Sequence, residues 1–286
     1  MPELPEVERV RLSLRPHLLG RRVRRAVLHR EDICESFEQR RSGLVGVRPS
    51  ARSLLQGDSV ASLERHGKQL AIIGGSGRVL SVHLGMSGQL LWVRPGQARP
   101  GTHVHAEWEV AEGRKFAGRL AFRDPRRFGG LWTFDSVEAF RAARWAVLGP
   151  DALTVSPEQL AAGLGTSKRA VKAALLDQGV IAGVGNIYAD EALFLAGVRP
   201  TRRAGSLDGP EVGRLAAAIR EVLQRSLATG GSTLRDYVDA DGARGSAQEG
   251  HAVYGRGGEA CRGCGGTLRQ GVVAQRTTVW CPRCQR

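Results

Sequence analysis

The first eight residues, MPELPEVE, carry groups that can do covalent chemistry. Methionine is normally trimmed when proline follows it, so we expect Pro2 to become a free secondary amine. An α-amino group titrates at about pH 7.7 to 8.0, which leaves a useful fraction unprotonated near neutrality. Such an amine can attack a carbonyl carbon and form an iminium, as Schiff-base lysines do. Glu3 adjoins the amine in sequence, and Glu6 lies about one helical turn further on, close enough to face the same site.

The ordinary alternative is a frayed tail whose acidic residues enrich the first turn of a helix. The residues behind it favour order instead. Apolar side chains recur at helical spacing from Val7 to Leu18, and they predict an amphipathic helix over about residues 7–19. Pro16 would kink or shorten this helix. A helix that begins beside Pro2 would hold the amine in place.

Four cysteines near the end of the chain have the spacing of a metal site: Cys261, Cys264, Cys281 and Cys284. Two C-x-x-C pairs predict a tetrahedral zinc ribbon, and four thiolates leave no coordination position open, so the Zn²⁺ would be structural. The N-terminus lacks a secretory pattern, which favours metal over disulfides and leaves Cys34 alone. Between the pairs we expect a basic hairpin from Leu268 to Trp280 that could contact phosphates.

Two glycine-flanked turns present apolar side chains in unusual places. HLGMSG (residues 83–88) places a methionine at the tip of a hairpin, and DPRRFGG (residues 124–130) places a phenylalanine beside two arginines. Such side chains ordinarily fill a core. Proteins that kink DNA insert apolar wedges between base steps, and an enzyme that extrudes a base must fill the gap it leaves. Lys68, at a junction between a loop and a strand, would by itself be a solvated lysine.

The charge of the chain indicates a polyanionic partner. Lys plus Arg number 42 against 28 Asp plus Glu, for a net charge of +14 and a pI near 10.8. Nucleic acid is the first choice and an anionic membrane the second. No apolar run approaches the roughly 20 residues of a membrane span. With no secretory pattern at the N-terminus, we expect a cytoplasmic protein.

The pattern of elements predicts two regions. Short strands fill residues 22–132, most clearly at 79–84, 89–93, 104–110 and 119–123, and antiparallel strands at this spacing suggest a sandwich or barrel. After a Gly/Pro-rich boundary, helices are predicted at 168–178, 187–196 and 210–228, with Ser156 as an N-cap. The connection GVIAGVGN (residues 179–186) could approach a phosphate closely. Residues 229–260 form either a functional loop or a linker.

Taken together, these motifs resemble the formamidopyrimidine-DNA glycosylase family, bacterial repair enzymes related to endonuclease VIII. The motifs occur in order along the whole chain: PELPEVE, Lys68, HLGMSG, DPRRFGG, GVGNIYADE, VYGRGGEAC and AQRTTVWC with its paired C-x-x-C. The resemblance implies an α+β multidomain fold. An N-terminal antiparallel β-sandwich with flanking helices (1–134) would be followed by a linker (135–155), a helix–two-turn–helix domain (156–252) and a four-cysteine zinc ribbon (253–286).

The resemblance also implies an activity, that of a bifunctional DNA glycosylase and AP lyase in base excision repair. Such an enzyme excises 8-oxoguanine and formamidopyrimidines from double-stranded DNA. Pro2 would attack C1′ of the damaged nucleotide, and Glu3 would be the acid/base. Glu6 would support the lesion site, while Lys68 and Arg276 would act in strand cleavage by β,δ-elimination.

Further side chains match family positions that hold phosphates or fill the gap left by an everted base. These candidate DNA contacts are His83, Met86, His103, Arg126, Phe128, Lys168, Lys172, Asn186 and Tyr254. His103 and His105 cannot be aligned uniquely, so either could make the contact. Residues 232–250 correspond to the loop that covers the oxidised purine in relatives.

Two alternatives stay open at this point. The first is an endonuclease VIII-like glycosylase for oxidised pyrimidines, although the PELPEVE start favours the formamidopyrimidine branch. The second is a non-catalytic zinc-ribbon protein that binds DNA, which would need no nucleophile. In each case we expect one structural Zn²⁺ and a monomer acting at the bacterial nucleoid.

Overall fold

The computed structural model describes residues 2–286, which group into two compact units. The first contains Pro2, residues 6–147 and residues 232–245. The second contains residues 3–5, 148–231 and 246–286. The segment 232–245 thus packs with the strand-rich unit, although its neighbours on both sides in sequence belong to the helical one.

Helix α1 (Leu4–Leu18) opens the fold. Its side chains Val7, Val10, Leu14 and Leu18 are buried, which confirms the amphipathic pattern. The helix starts three residues earlier than predicted because Pro5 is tolerated in a first turn, where its missing N–H is not needed. Pro16 lies in the last turn and the helix still continues to Leu18.

The first unit is a two-sheet sandwich. One sheet consists of β1 (Arg22–Leu28), β7 (Gln89–Val93), β8 (Val104–Glu112) and β9 (Lys115–Arg123). The other consists of β2 (Cys34–Arg40), β3 (Gly43–Val47), β4 (Val60–His66), β5 (Gln69–Gly74), β6 (Val79–His83) and β10 (Gly130–Phe134). The strand orders are β1-β8-β9-β7 and β3-β2-β10-β6-β5-β4. Their pairs are antiparallel, as predicted, except that β10 runs parallel to β2.

Strand β8 is more deeply buried than its alternating pattern predicts. Ala106 and Trp108 face the apolar core, but His105 and Glu107 on the opposite face are buried as well. A His105 ring nitrogen lies 2.8 Å from the Asp124 carbonyl oxygen, and Glu107 forms ion pairs with His29 at 2.9 Å and Arg119 at 3.5 Å. Buried polar groups persist when they are bonded in this way.

After the sandwich, α2 (Val137–Phe140) continues into a wide helical turn over Arg141–Trp145. This turn still belongs to the first unit. Trp145 packs edge-on against Phe140 with ring centroids 4.7 Å apart, so the turn has its own apolar anchor.

The second unit is built on α3 (Pro157–Leu164), α4 (Val171–Leu176), α5 (Asn186–Ala196) and α6 (Gly209–Ala228). Capping boxes start α3 at Ser156 and α6 at Asp208. Helix α4 begins three residues later than predicted, because Ala170 is extended and forms a bridge with Arg203. Among the described residues, no helix is long and apolar enough to span a membrane.

The chain ends in a hairpin of β11 (Arg269–Val273) and β12 (Arg276–Trp280), as predicted. Its two-residue turn, Ala274–Gln275, has φ of 49° and 58°. Positive φ at both positions matches the twist of the flanking strands, which is why such turns join hairpins.

Candidate active site and nucleic-acid contacts

The carboxylate of Glu3 is buried at the start of α5. Its two oxygens accept hydrogen bonds from the backbone N–H groups of Gly185 at 2.7 Å and Ile187 at 2.9 Å. A negative group at a helix N-terminus is favoured by the unpaired N–H groups and the helix dipole. Glu3 therefore has a fixed orientation, with both carboxylate oxygens bonded to the start of α5.

The glycines of the GVGN connection explain how Glu3 reaches this place. A Cβ on Gly185 would lie 2.3 Å from the Glu3 carboxyl carbon, and one on Gly183 would lie 2.3 Å from a Leu4 methyl carbon. Leu4 also donates its N–H to the Gly183 carbonyl at 3.2 Å. The structure thus shows this segment approaching Glu3 and Leu4, and its approach to a phosphate stays a prediction.

Pro2 and Glu6 lie in the first unit, and both are buried. A Glu6 carboxylate oxygen accepts a hydrogen bond of 2.7 Å from the backbone N–H of Ser232. Tyr237 is buried nearby, and burial followed by the charge of Glu6 raises the pKa of its hydroxyl. Glu6 therefore connects the first turns of α1 to the 232–245 segment.

The two glycine-flanked loops of the first unit are fastened to each other by Asp124. Its carboxylate accepts hydrogen bonds from the Ser87 hydroxyl at 2.6 Å and the Gly129 N–H at 2.7 Å. A Cβ on Gly85 would lie 2.3 Å from the Phe128 carbonyl group. Only a residue without a side chain permits this contact, and Gly85 also has φ of 60°.

This packing brings three predicted side chains together. Met86 is 37% exposed and Phe128 is 51% exposed, although apolar side chains of this size are usually buried. The guanidinium of Arg126 stacks over the Phe128 ring at 4.6 Å. The result is an exposed apolar wedge with a cation on it. His103 lies next to these loops, because its carbonyl accepts the Asp124 N–H at 3.0 Å, and the residue is exposed.

Lys68 and His83 lie close together on the second sheet. Lys68 is in the tight turn between β4 and β5, and the next residue, Gln69, pairs with His83 across β5 and β6. Burial, followed by the positive charges of Lys68 and Arg144, lowers the pKa of His83 to about 4. The imidazole is therefore neutral near pH 7 and can donate or accept a hydrogen bond.

Strand β12, which carries Arg276 at its first position, is held against the helices of its own unit. The side-chain amide of Asn186 donates to the Thr277 carbonyl at 3.0 Å, and the Val279 N–H donates to Asp190 at 3.0 Å. Arg276 is exposed beside this anchor. Two candidate residues, Asn186 and Arg276, thus meet at one end of α5.

Lys172 has a different place from the one predicted. Its ammonium group is fully buried, 2.7 Å from the Asp190 carboxylate, and it also donates to Thr277 and Thr278. Burial raises the pKa of Asp190 to about 6, against the opposing charge of Lys172. An ammonium enclosed in this way cannot contact DNA, so we withdraw Lys172 as a direct contact and assign it to holding β12 on the helices.

The remaining candidates are Lys168 and Tyr254. Lys168 is exposed ahead of α4, beside Arg169. Tyr254 is partly buried, and its N–H donates to Glu191 at 2.8 Å. Glu191 also accepts the N–H groups of Ala252 and Val253, so one buried carboxylate shapes the VYGR turn.

The four terminal cysteines form a cluster that could hold a metal ion. Their sulfur atoms all lie within 4.8 Å of one another, with 4.0 Å between Cys261 and Cys284 and 3.5 Å between Cys264 and Cys281. A tetrahedral ion with bonds of about 2.3 Å to sulfur would space the sulfur atoms by roughly 3.8 Å. The donor set and its spacing therefore fit a closed four-thiolate site.

Three residues of these sites were not predicted from sequence: Asp124, Asp190 and Glu191. Each is a buried acid that fixes a loop or strand through backbone N–H groups. The first lies in DPRRFGG and the other two in GVGNIYADE. An acid inside a glycine-rich motif is the signal that could have identified them, because such loops need acceptors for their backbone N–H groups.

Comparisons with known proteins agree with this arrangement. Residues 1–131 match the model of the formamidopyrimidine-DNA glycosylase N-terminal domain, and residues 148–238 match that of the formamidopyrimidine-DNA glycosylase H2TH domain. The chain is 41% identical, over the full length of both, to the formamidopyrimidine-DNA glycosylase of Xanthomonas campestris pv. campestris strain 8004.

Solved structures are similar over almost the whole chain. The MutM (Fpg) protein of Thermus thermophilus is 40% identical with a TM-score of 0.82, covering 99% of this chain and 98% of that one. A point mutant of Lactococcus lactis Fpg, solved with DNA containing Fapy-dG, is 29% identical with a TM-score of 0.84 over all of both chains. This chain belongs to the formamidopyrimidine-DNA glycosylase family.

Proposed function

We propose that this protein is a bifunctional DNA glycosylase and AP lyase that removes oxidised purines from duplex DNA. The single observation that carries the proposal is the Pro2-Glu3 pair. One residue offers a secondary amine, and the next has its carboxylate fixed by the N–H groups at the start of α5. Full-length similarity to named formamidopyrimidine-DNA glycosylases supports it.

The chemistry follows from these two residues. The Pro2 amine attacks C1′ of the damaged nucleotide as the bond from C1′ to the base breaks, and the base leaves with a proton. Glu3 exchanges protons with the sugar as its ring opens, which leaves an iminium between Pro2 and C1′. The iminium makes the C2′ protons acidic, so β-elimination expels the 3′ phosphate and δ-elimination then expels the 5′ phosphate. Water finally hydrolyses the iminium and frees Pro2.

The other candidates have roles in holding DNA. We assign Lys68, His83, Asn186, Tyr254 and Arg276 to phosphates around the lesion, with Lys68 and Arg276 also acting in strand cleavage. The exposed wedge of Met86, Arg126 and Phe128 suits the gap opposite an everted base. Glu6 supports the lesion site through its bond to Ser232.

We propose that Cys261, Cys264, Cys281 and Cys284 bind one Zn²⁺. When bound, the ion would offset part of the negative charge of the four thiolates and cross-link both ends of the ribbon hairpin, a structural contribution only. Its effect on DNA is indirect, since the hairpin it stabilises carries Arg276. We further propose that the protein acts as a monomer in the bacterial cytoplasm, where its DNA substrate is.

Excision and cleavage on labelled duplexes test the activity. We expect 8-oxoguanine DNA to yield a one-nucleotide gap with phosphate at both ends. A preference for thymine glycol would support the endonuclease VIII-like alternative. Binding without cleavage of either substrate would support a non-catalytic protein.

A further inference from the structure

Arg144 is a cation with an unusual position in the first unit. It lies in the wide helical turn after α2, and its guanidinium stacks on the Trp132 indole at 4.0 Å. Its Nε is buried and has no hydrogen-bond partner among residues 2–286. Buried polar groups are normally satisfied, so this N–H is available to an acceptor that residues 2–286 do not supply.

The turn that carries Arg144 is well anchored. The adjacent Trp145 packs against Phe140 on one side and lies 5.7 Å from the His66 ring on the other. Trp132 lies on β10, and its ring packs over Gly130. A Cβ on Gly130 would lie only 2.7 Å from the edge of this ring. The stacked guanidinium is therefore presented on a rigid support.

This support places Arg144 beside residues already assigned to DNA. Gly130, under the Trp132 ring, pairs with His83 across β10 and β6, and His83 pairs with Gln69, the residue after Lys68. Strand β6 with His83 thus lies between β5, which follows Lys68, and β10, whose Trp132 carries the Arg144 guanidinium. The positive charges of Lys68 and Arg144 both lower the pKa of His83. Glu35 is the acid that faces Arg144, and it lies opposite Trp132 on β2.

A guanidinium and an ammonium whose charges both act on one neutral imidazole favour the binding of an anion beside it. A guanidinium whose plane rests on an indole keeps its N–H edge free to bind such an anion in the plane, as arginine does with phosphate. Resting on the proposed function, we infer that Arg144 binds a backbone phosphate of the substrate DNA together with Lys68 and His83.

Arg144→Met tests the inference, because it keeps an apolar stem over Trp132 and removes the charge. Arg141→Met is the matched control, since Arg141 lies on the same turn but its guanidinium pairs with Glu64 at 3.0 Å. The measurement is the dissociation constant for a duplex with an uncleavable abasic-site analogue, by fluorescence anisotropy across a range of salt concentrations. Thermal unfolding of each variant checks that it is folded.

We expect Arg144→Met to weaken binding about tenfold. The slope of log K against log salt should become less negative by about 0.9, the amount for one phosphate contact. Arg144→Lys should keep the wild-type slope, because a lysine still supplies a point charge. Arg141→Met should change neither quantity.

An unchanged slope in Arg144→Met, or an equal change in Arg141→Met, would overturn the inference. A variant that melts early with an unchanged slope would show that the stack on Trp132 is only structural. The outcome is separate from that of the proposed function, because binding is measured without cleavage. A wild type that cleaves 8-oxoguanine DNA alongside an unchanged Arg144→Met slope would refute this inference alone.

Discussion

At the scale of single residues, Glu3, the proposed catalytic acid, is fixed by backbone groups of its own unit. The carboxylate caps α5 through two short hydrogen bonds, and Gly185 leaves the space that it occupies. The acid is therefore held by backbone groups at the start of a helix. A preorganised group of this kind needs no reorganisation during the reaction.

His83 should make stability depend on pH. Burial and the charges of Lys68 and Arg144 lower its pKa to about 4, whereas an exposed histidine titrates near 6.5. As pH falls from about 6.5 to 4, the unfolded chain binds a proton that the folded protein does not, so stability is lost. The loss should reach on the order of 3 kcal/mol at the acid end of that window. Denaturant unfolding near pH 7 and near pH 5 measures this loss. The free energy of unfolding of His83→Gln should fall less between these pH values than that of wild type. An identical fall in the two proteins would contradict the prediction.

At the scale of elements, two loops, one turn and one strand are each held in place by a buried acid or a buried ion pair. Asp124 fastens two loops, Glu191 shapes the VYGR turn, and the Lys172–Asp190 pair attaches β12 to the helices. These connections determine where exposed side chains such as Phe128 and Arg276 lie.

Breaking the buried pair should be costly. Lys172→Met leaves the Asp190 carboxylate buried without its cation, which should lower the free energy of unfolding by about 3 to 5 kcal/mol. Lys172→Met with Asp190→Leu should recover most of that loss, because two apolar side chains fill the space without an unpaired charge. Denaturant titration of the single and double variants measures both effects. A double variant no more stable than the single one would contradict this account of Lys172.

Gly85→Ala should disrupt the exposed wedge. The new Cβ would meet the Phe128 carbonyl at 2.3 Å, which forces the two loops apart and moves Met86 and Phe128. Gly96→Ala is the matched control, because Gly96 also has positive φ, 83°, but has nothing within 4 Å of a Cβ. We expect Gly85→Ala to melt at a lower temperature than Gly96→Ala and to excise 8-oxoguanine more slowly. Equal melting and excision in the two variants would show that loop contact is unimportant.

Much of the fold and of the candidate site could be predicted from the sequence, for reasons that differ between elements. The α1 stripe and the clustering of the four cysteines follow from local spacing, and both are confirmed, whereas the zinc itself stays a prediction. Strand spacing predicted a sandwich or barrel, and the family resemblance favoured the sandwich. The parallel pairing of β10 with β2 depends on a long-range crossover that no local pattern encodes. Lys172 was proposed as a DNA contact because it matches a family position, and only the fold shows that Asp190, 18 residues further along, encloses its ammonium group.

At the scale of the whole molecule, the net charge of +14 and the cysteine cluster both relate to the binding of DNA, the proposed partner. Phosphate contacts make DNA binding fall steeply with salt. The ribbon hairpin contributes Arg276, so its order should determine part of the affinity.

Loss of zinc should abolish DNA binding without unfolding the first unit. Cys281→Ser removes one of four thiolates, and a three-ligand site should not hold the ribbon closed. Cys34→Ser is the control, since Cys34 is buried in the sandwich and far in sequence from the cluster. Metal analysis should find one zinc per chain in wild type and Cys34→Ser and none in Cys281→Ser. Full DNA affinity in zinc-free Cys281→Ser would refute a DNA-contacting role for the ribbon.

The central claim is that the amine of Pro2 becomes covalently attached to the sugar. Incubation with 8-oxoguanine duplex and sodium borohydride should reduce the iminium to a stable adduct, and peptide mass spectrometry should locate it on Pro2. The Pro2→Gly variant should form far less of this adduct. A tag left ahead of Pro2 should abolish adduct formation, because it converts the amine to an amide. No adduct with wild type, or an adduct on another residue, would contradict the account.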